Sequence, residues 1–499
     1  MTAIEHVTTE GMVNAGIKTA LSTTDSDHIE DAQSPEKREI FDNGDSEDPL
    51  DPRNWPQWKK DVNLALISFH ALMTNFIGAG IIPVYLTFAQ MFNLSVQSIS
   101  YLTSIHILFT GLVPFVLVPW SNRFGRRPVW LASTLLTAVC NIGCAKSSNY
   151  AEMMVCRILG SVFLSSPIAL GPPVVVEMYH EHERGIKISI WTAIVTLGPP
   201  LGPFVMGFVA QRAGWEWIYW ISAITSGVEF VLYAIFSPET RYIRQPGSSF
   251  GSDKKPTTKQ EYFSFHRIDP TPMTVAEFIH PFKMVKYMTI LIPIYAHTSI
   301  FNLSAAMLTV EIPQLFAIRF GFNAQQIGLQ FIGIIVGTMV GEVFNAVVLS
   351  WLHRRVQQRQ LQQGDSRKKA ANPTEYLFSS YLGFCCMIAG LVIFCILLGN
   401  TKPMHYNVGP IIGIGIAAFG NQIVTSFLIN YIIQMHTEHA ASISIILGFI
   451  RQTWCFIGPF WFPPMFENLG FEGSAGLLVG LVVASVLPLI WMHWVYGRR

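Results

Sequence analysis

At 499 residues, with half of them hydrophobic, 13% charged and a mean hydropathy of +0.38, the chain is too apolar to fold in water, where domains carry about 25% charged residues. The net charge of +1 hides an asymmetry: residues 1–57 hold 13 of the 32 acids and four of the 33 Lys and Arg. The rest carries 29 basic and 19 acidic residues, concentrated in short linkers, a pattern that marks membrane topology and excludes nucleic-acid binding.

In chain order, residues 1–57 read as a disordered, acidic cytosolic tail, rich in Ser and Thr. The N-terminus is polar and has no apolar signal-peptide core, so the first span is expected to act as its own insertion signal. Asp51 to Lys60 marks the membrane entry, with Trp55 and Trp58 suited to the interface and Lys59 and Lys60 holding the start inside. Apolar runs then predict spans at 61–87, 98–120, 127–147, 151–178, 187–210 and 216–237. A polar break covers 238–284. Six more spans are predicted at 285–312, 326–350, 376–398, 406–433, 440–465 and 473–496.

Every second linker carries the basic residues. These are Arg123, Arg126 and Arg127; Arg184 and Lys187; Arg241, Lys254 and Lys255; and His353, Arg354, Arg355, Arg367, Lys368 and Lys369, with Arg498 and Arg499 at the end. The alternation puts those linkers and both termini in the cytosol. The expected architecture is an all-α integral membrane protein with twelve transmembrane helices in two six-helix halves, 58–237 and 285–499, around a central cavity. Paired halves of this kind enclose a site near the bilayer midplane.

Polar residues inside the spans mark the candidate pathway: His70 and Asn75, His106, Glu229, His297 and Asn302, Glu342, Asn421, Gln422 and Asn430, and Arg451. Ionisable groups there are expensive and face a cavity or a partner. Arg157 sits several residues inside span four, where a permanent guanidinium demands pairing or water. Aromatic walls favour amphipathic organic substrates over inorganic ions. The seven cysteines all fall in apolar runs and read as reduced packing residues. His180 to Glu183 and His436 to His439 have metal-like spacing but no ligand set beside them, so no metal or other cofactor is expected. The absence of a glycine-rich phosphate loop argues against ATP drive.

Several motifs carry a resemblance to a known family. Asn122-Arg123-Phe124-Gly125-Arg126-Arg127 is a tight charged hairpin between two uncharged runs. Arg157-Ile158-Leu159-Gly160 lies in span four. Gly198-Pro199-Pro200-Leu201-Gly202-Pro203, then Gly207, lies in span five. Trp215-Glu216-Trp217 opens span six and Pro238-Glu239-Thr240-Arg241 closes it. Together these resemble the major facilitator superfamily, and within it the fungal twelve-span drug:proton antiporters. In the signature loop, Val118 stands where that family has Gly and Asn122 where it has Asp. Gly341-Glu342 with Arg354-Arg355 resembles a degenerate second copy.

The resemblance implies a monomeric secondary transporter that exports a small organic molecule against protons by alternating access, in the cell membrane or an internal one such as the vacuole. An importer or facilitator of a polyamine or organic acid is the alternative; an intramembrane enzyme or receptor finds no supporting cluster. Arg157, Glu342, Arg126, Arg127, Glu177 and Glu239 are the expected coupling or gating residues, with Glu342 ahead of Glu229 as proton carrier. His70, Asn75, His297, Asn421, Gln422 and Asn430 are expected on the cavity wall. Gly125, Gly198, Pro199, Gly202 and Pro203 are the structural motif residues. Asn93, in the triplet Asn93-Leu94-Ser95, is the expected N-glycan site.

Overall fold

The computed structural model describes residues 51–242, 268, 274–363, 373–436 and 439–496. The tail up to residue 50, most of the 238–284 linker, Lys254, Lys255, Arg367, Lys368, Lys369, Thr437, Glu438, Arg498 and Arg499 lie outside the described residues.

Span one begins at Gln57 and runs as a helix to Ala79. Pro83, which has no N–H to donate, sits in a tight turn over Ile82–Val84, and the helix resumes at Tyr85–Phe92. Span two bends by 46° between Val96–Leu112 and Pro114–Phe124. Spans three to six are Arg127–Ala145, Tyr150–Met178, Glu181–Ala213 and Glu216–Phe236. Span four is broken at Ser165, two residues before Pro167. A short amphipathic helix, Val275–Lys283, leads into span seven, Met288–Phe320. That span carries a π-helical turn at Asn302–Ala306.

Span eight covers Ala324–Leu352, span nine Leu377–Asn400 and span ten Gly409–Met435. The last helical run, Ala440–Tyr496, is 57 residues long. At 1.5 Å per residue that is about 85 Å, far more than a bilayer core. Gly470, at φ 64° and ψ −177°, breaks it into spans eleven and twelve. Only a residue without Cβ holds that backbone cheaply. The described residues therefore contain twelve apolar helices long enough to cross a bilayer, the number and all-α class expected from the sequence. The face bearing the 122–127 loop is the basic face.

The breaks in the helices are stitched by side chains from neighbours. Pro167 cannot bond the Phe163 carbonyl, and Ser133 Oγ on span three donates to it at 2.7 Å. Thr74 on span one donates to the Leu164 carbonyl at 2.9 Å. Pro199 frees the Val195 carbonyl, and Asn75 Nδ2 donates to it at 3.4 Å. Buried backbone groups need such partners in a dry interior.

Span five packs tightly through its glycines. A Cβ at Gly198 would lie 2.6 Å from the Leu72 carbonyl oxygen, and one at Gly202 would lie 2.5 Å from that of Phe76. Gly207 sits against span eight, where a Cβ would meet the Ala324 carbonyl at 2.6 Å. Small residues of this kind let helix backbones touch. Away from the basic face the two halves also meet at Tyr101 and Phe460, stacked at 4.7 Å, and where Gln97 Nε2 donates to the Pro459 carbonyl at 3.4 Å.

Candidate functional site

Three regions carry the chemistry. The first is the corner at the basic face. Gly125 turns the chain at φ 95°, and any Cβ there would collide with the Glu239 carboxylate. Glu239 uses the space to accept from Arg126 N at 2.8 Å, Arg127 N at 3.0 Å and Arg241 N at 2.9 Å. It thereby caps the start of span three. Arg127 returns the favour to span six, donating to the carbonyls of Tyr233 at 3.1 Å, Ala234 at 2.9 Å and Ser237. Arg126 pairs with Glu177 of span four at 2.8 Å and also donates to Ser121 Oγ. Arg241 reaches the same Glu177 oxygen at 3.4 Å. Burial pushes the Glu239 carboxyl above the ordinary carboxylate range, although the three N–H donors pull it down.

These contacts join spans three, four and six of one half. The contact from this loop towards the second half comes from Arg123. Its Nη2 lies 2.6 Å from Glu277 Oε1 on the short helix that leads into span seven. Phe282 of that helix stacks on Phe115 of span two at 4.8 Å, and Phe449 of span eleven closes on both rings. Asn122 stands where the family has Asp, but the loop's acidic partners arrive from Glu177, Glu239 and Glu277. Neither Arg123 nor Glu277 stood among the expected gating residues. Their pairing spans 154 positions, and no local spacing announces it.

The second region is the interior of the first half. Arg157 is 4% exposed. It donates to the carbonyls of Ile77 at 3.1 Å and Gly78 at 2.9 Å, which the end of the first helix of span one leaves without helical partners. Two further bonds reach the Leu102 carbonyl on span two. Ser161 links the Arg157 carbonyl to His106 Nδ1, at 2.6 and 2.9 Å. Elsewhere on span one His70 is fully buried, 4.0 Å from the Glu229 carboxylate, with Trp130 and Tyr233 edge-on to it. It faces spans three and six, whereas Asn75 faces span five.

The third region is the second half. Glu342 on span eight accepts from Gln422 Nε2 on span ten at 2.5 Å. One turn on, Asn345 Nδ2 donates to the Gln422 carbonyl at 3.0 Å and to Ser426 Oγ at 2.9 Å. Asn430 donates to the Ser426 carbonyl at 2.7 Å, and Asn421 is buried with no partner at Oδ1. Gln422 and Glu342 thus meet across the span eight–ten seam, whereas Asn430 bonds within span ten. His297 and Asn302 lie on span seven, both fully buried, and neither side chain has a hydrogen-bond partner. Arg451 of span eleven stands over the Phe301 ring at 4.8 Å.

Glu311, also on span seven, is 1% exposed and has an unpartnered Oε1. The sequence reading missed it because it fell at the margin of the predicted 285–312 run. The span extends to Phe320, so the acid lies inside. Asn93 adopts a left-handed conformation (φ 53°) at the end of span one and is exposed, and Ser95 caps the start of span two.

Comparison with known proteins fits this arrangement. Residues 64–459 match the family model described as Major Facilitator Superfamily. The chain is 26% identical over 465 residues to "MFS transporter fsa7" of a Fusarium species, covering 91% of this chain and 87% of that one. It is 25% identical over 465 residues to "Efflux pump radE" of Floropilus chiversii, covering 91% and 83%. Among solved structures, the crystal structure of a peptide transporter POT in complex with sulfate superposes with a TM-score of 0.61 at 14% identity, over 87% of this chain and 95% of that one.

Proposed function

This chain belongs to the Major Facilitator Superfamily and is an integral membrane transporter of a small molecule, and from that premise we propose that it exports an organic compound in exchange for protons. The relatives named as efflux pumps support the direction. The observation that carries the coupling is Glu342: a carboxyl inside the apolar layer, held by Gln422 from the facing span.

The physical logic is a two-state one. A neutral carboxyl tolerates a low dielectric far better than a carboxylate does. Proton loss from Glu342 therefore favours the state in which water reaches it, and proton uptake favours the closed seam. Substrate and proton stabilise opposite states, so their fluxes are linked. The basic face is taken as cytosolic. There the Arg126–Glu177–Glu239 cluster makes the first half move as one body, and Arg123–Glu277 is the contact that opens and closes between halves. Arg157 supports gating by fixing the break in span one. Glu229 is the second candidate carrier.

The cell membrane is the proposed location, with Asn93 glycosylated on the outer side. A mobility shift on deglycosylation that Asn93→Gln abolishes is the expected result. The main test loads vesicles or cells with substrate and collapses the proton gradient with an ionophore. Uphill export should stop, and Glu342→Gln should reproduce the loss. Uphill export that survives the ionophore rules the coupling out, and export that is only ever downhill marks a facilitator.

A further inference from the structure

Arg451 is a cation inside the membrane layer without a counter-charge. It lies about three turns into span eleven. A guanidinium keeps its charge in any protein and offers five donors. Among the described residues Arg451 makes no hydrogen bond and no ion pair, and its Nε is enclosed without a partner. Its close neighbour is the Phe301 ring at 4.8 Å. His297 lies within its electrostatic reach, and Glu311, the acid on the same span, is ten residues beyond Phe301, about 15 Å along the helix.

Unsatisfied polar atoms also lie on the two spans that meet at Arg451 and Phe301. Both ring nitrogens of His297, both amide atoms of Asn302 and the Thr453 hydroxyl are buried without partners. The π-helical turn begins at Asn302, directly after Phe301. Such turns are frequent at functional positions because they re-aim side chains. An uncompensated charge in the apolar layer is costly, and it is retained where it meets a ligand or a pathway. The complement to a guanidinium fork without a partner is a planar anion that only accepts hydrogen bonds, and a carboxylate fits it. The Phe301 face suits an apolar or aromatic body attached to that group.

We propose that Arg451 and Phe301 form a subsite for the carboxylate of the transported molecule, so that the substrate is an amphipathic organic acid in its anionic form. This rests on the transporter reading above and specifies its substrate. Export of such an anion moves negative charge outward, so the membrane voltage adds to the drive.

The experiment uses the full-length protein in lipid nanodiscs with no gradient and titrates three matched probes by calorimetry: 2-naphthoate, 2-naphthamide and 2-naphthylmethylammonium. The naphthoate should bind at least about tenfold more tightly than the other two. Arg451→Gln should weaken the naphthoate by about 10- to 100-fold and leave the amide within about twofold, with Arg451→Lys in between. Equal binding of the three probes, no naphthoate binding, or an Arg451→Gln protein that keeps the preference would each overturn the proposal. The wild-type comparison stands even if that variant fails to fold. Proton coupling is judged separately, since ionophore-resistant export leaves the probe preference untouched and a lost preference leaves the ionophore result untouched.

Discussion

Two arginines lie in this protein's apolar layer, one in each half, Arg157 buried and Arg451 half-buried, and they are opposites. Arg157 spends its guanidinium on the Ile77, Gly78 and Leu102 carbonyls. Arg451 makes no hydrogen bond and leans on one aromatic ring. The same side chain therefore serves as a brace in one half and as an unfilled valence in the other. Sequence position alone marked both as candidates for function. Only the partner list separates a residue that completes the fold from one that awaits a ligand.

Arg157→Ala gives the largest expected effect. It strips buried carbonyls of their donors at a helix break, which costs at least about 3 kcal/mol. The thermal transition in detergent should drop by many degrees. A variant as stable as wild type would remove the distinction between the two arginines. Glu239→Ala tests the same logic at the basic face, where one carboxylate satisfies three backbone N–H groups. A loss of about 2 kcal/mol is expected in thermal or denaturant unfolding, and a change within error would show that water replaces the cap.

Arg123→Ala removes the pair with Glu277, which is partly buried. A stability loss of about 1 kcal/mol is expected, with Glu277→Ala adding little to it. Fully additive losses in the double variant would mean the two side chains act separately. The smallest effect on stability, within about 0.5 kcal/mol, is expected for Arg451→Gln, which removes no hydrogen bond. Removing a charge that has no counter-charge is neutral or slightly stabilising. A clear fall in the unfolding temperature would place Arg451 beside Arg157 as a brace.

Much of this fold is written in the sequence at the level of solvent preference. Alternating apolar runs and basic linkers give the twelve spans because a helix must satisfy its backbone before it can enter lipid. Span ends were less legible. The predicted run ends at 312, one residue past Glu311, yet the helix extends to Phe320 and the carboxyl lies inside span seven. Partners across the fold were the hardest to read. The Arg126–Glu177 pair could be guessed because both lie near the same face. The Arg123–Glu277 pair and the His70–Glu229 contact depend on which flank of a helix meets which neighbour. Asn345 and Ser426 are ordinary polar residues in sequence and become a cross-helix bond only once Gly341 lets span eight approach Gln422.

The single-residue joint at Gly470 has a mechanical consequence. Spans eleven and twelve meet there with no linker to absorb slack, so it acts as a fulcrum. Arg451 lies 19 residues away, an arm of about 28 Å. A tilt of about 10° at the joint would swing that arginine by about 5 Å, roughly the width of a side chain. A Cβ at position 470 would meet nothing within 4 Å, so a replacement would act through the backbone angle alone. Stiffening this one joint would tax how far the lever travels while leaving every contact at its tip in place.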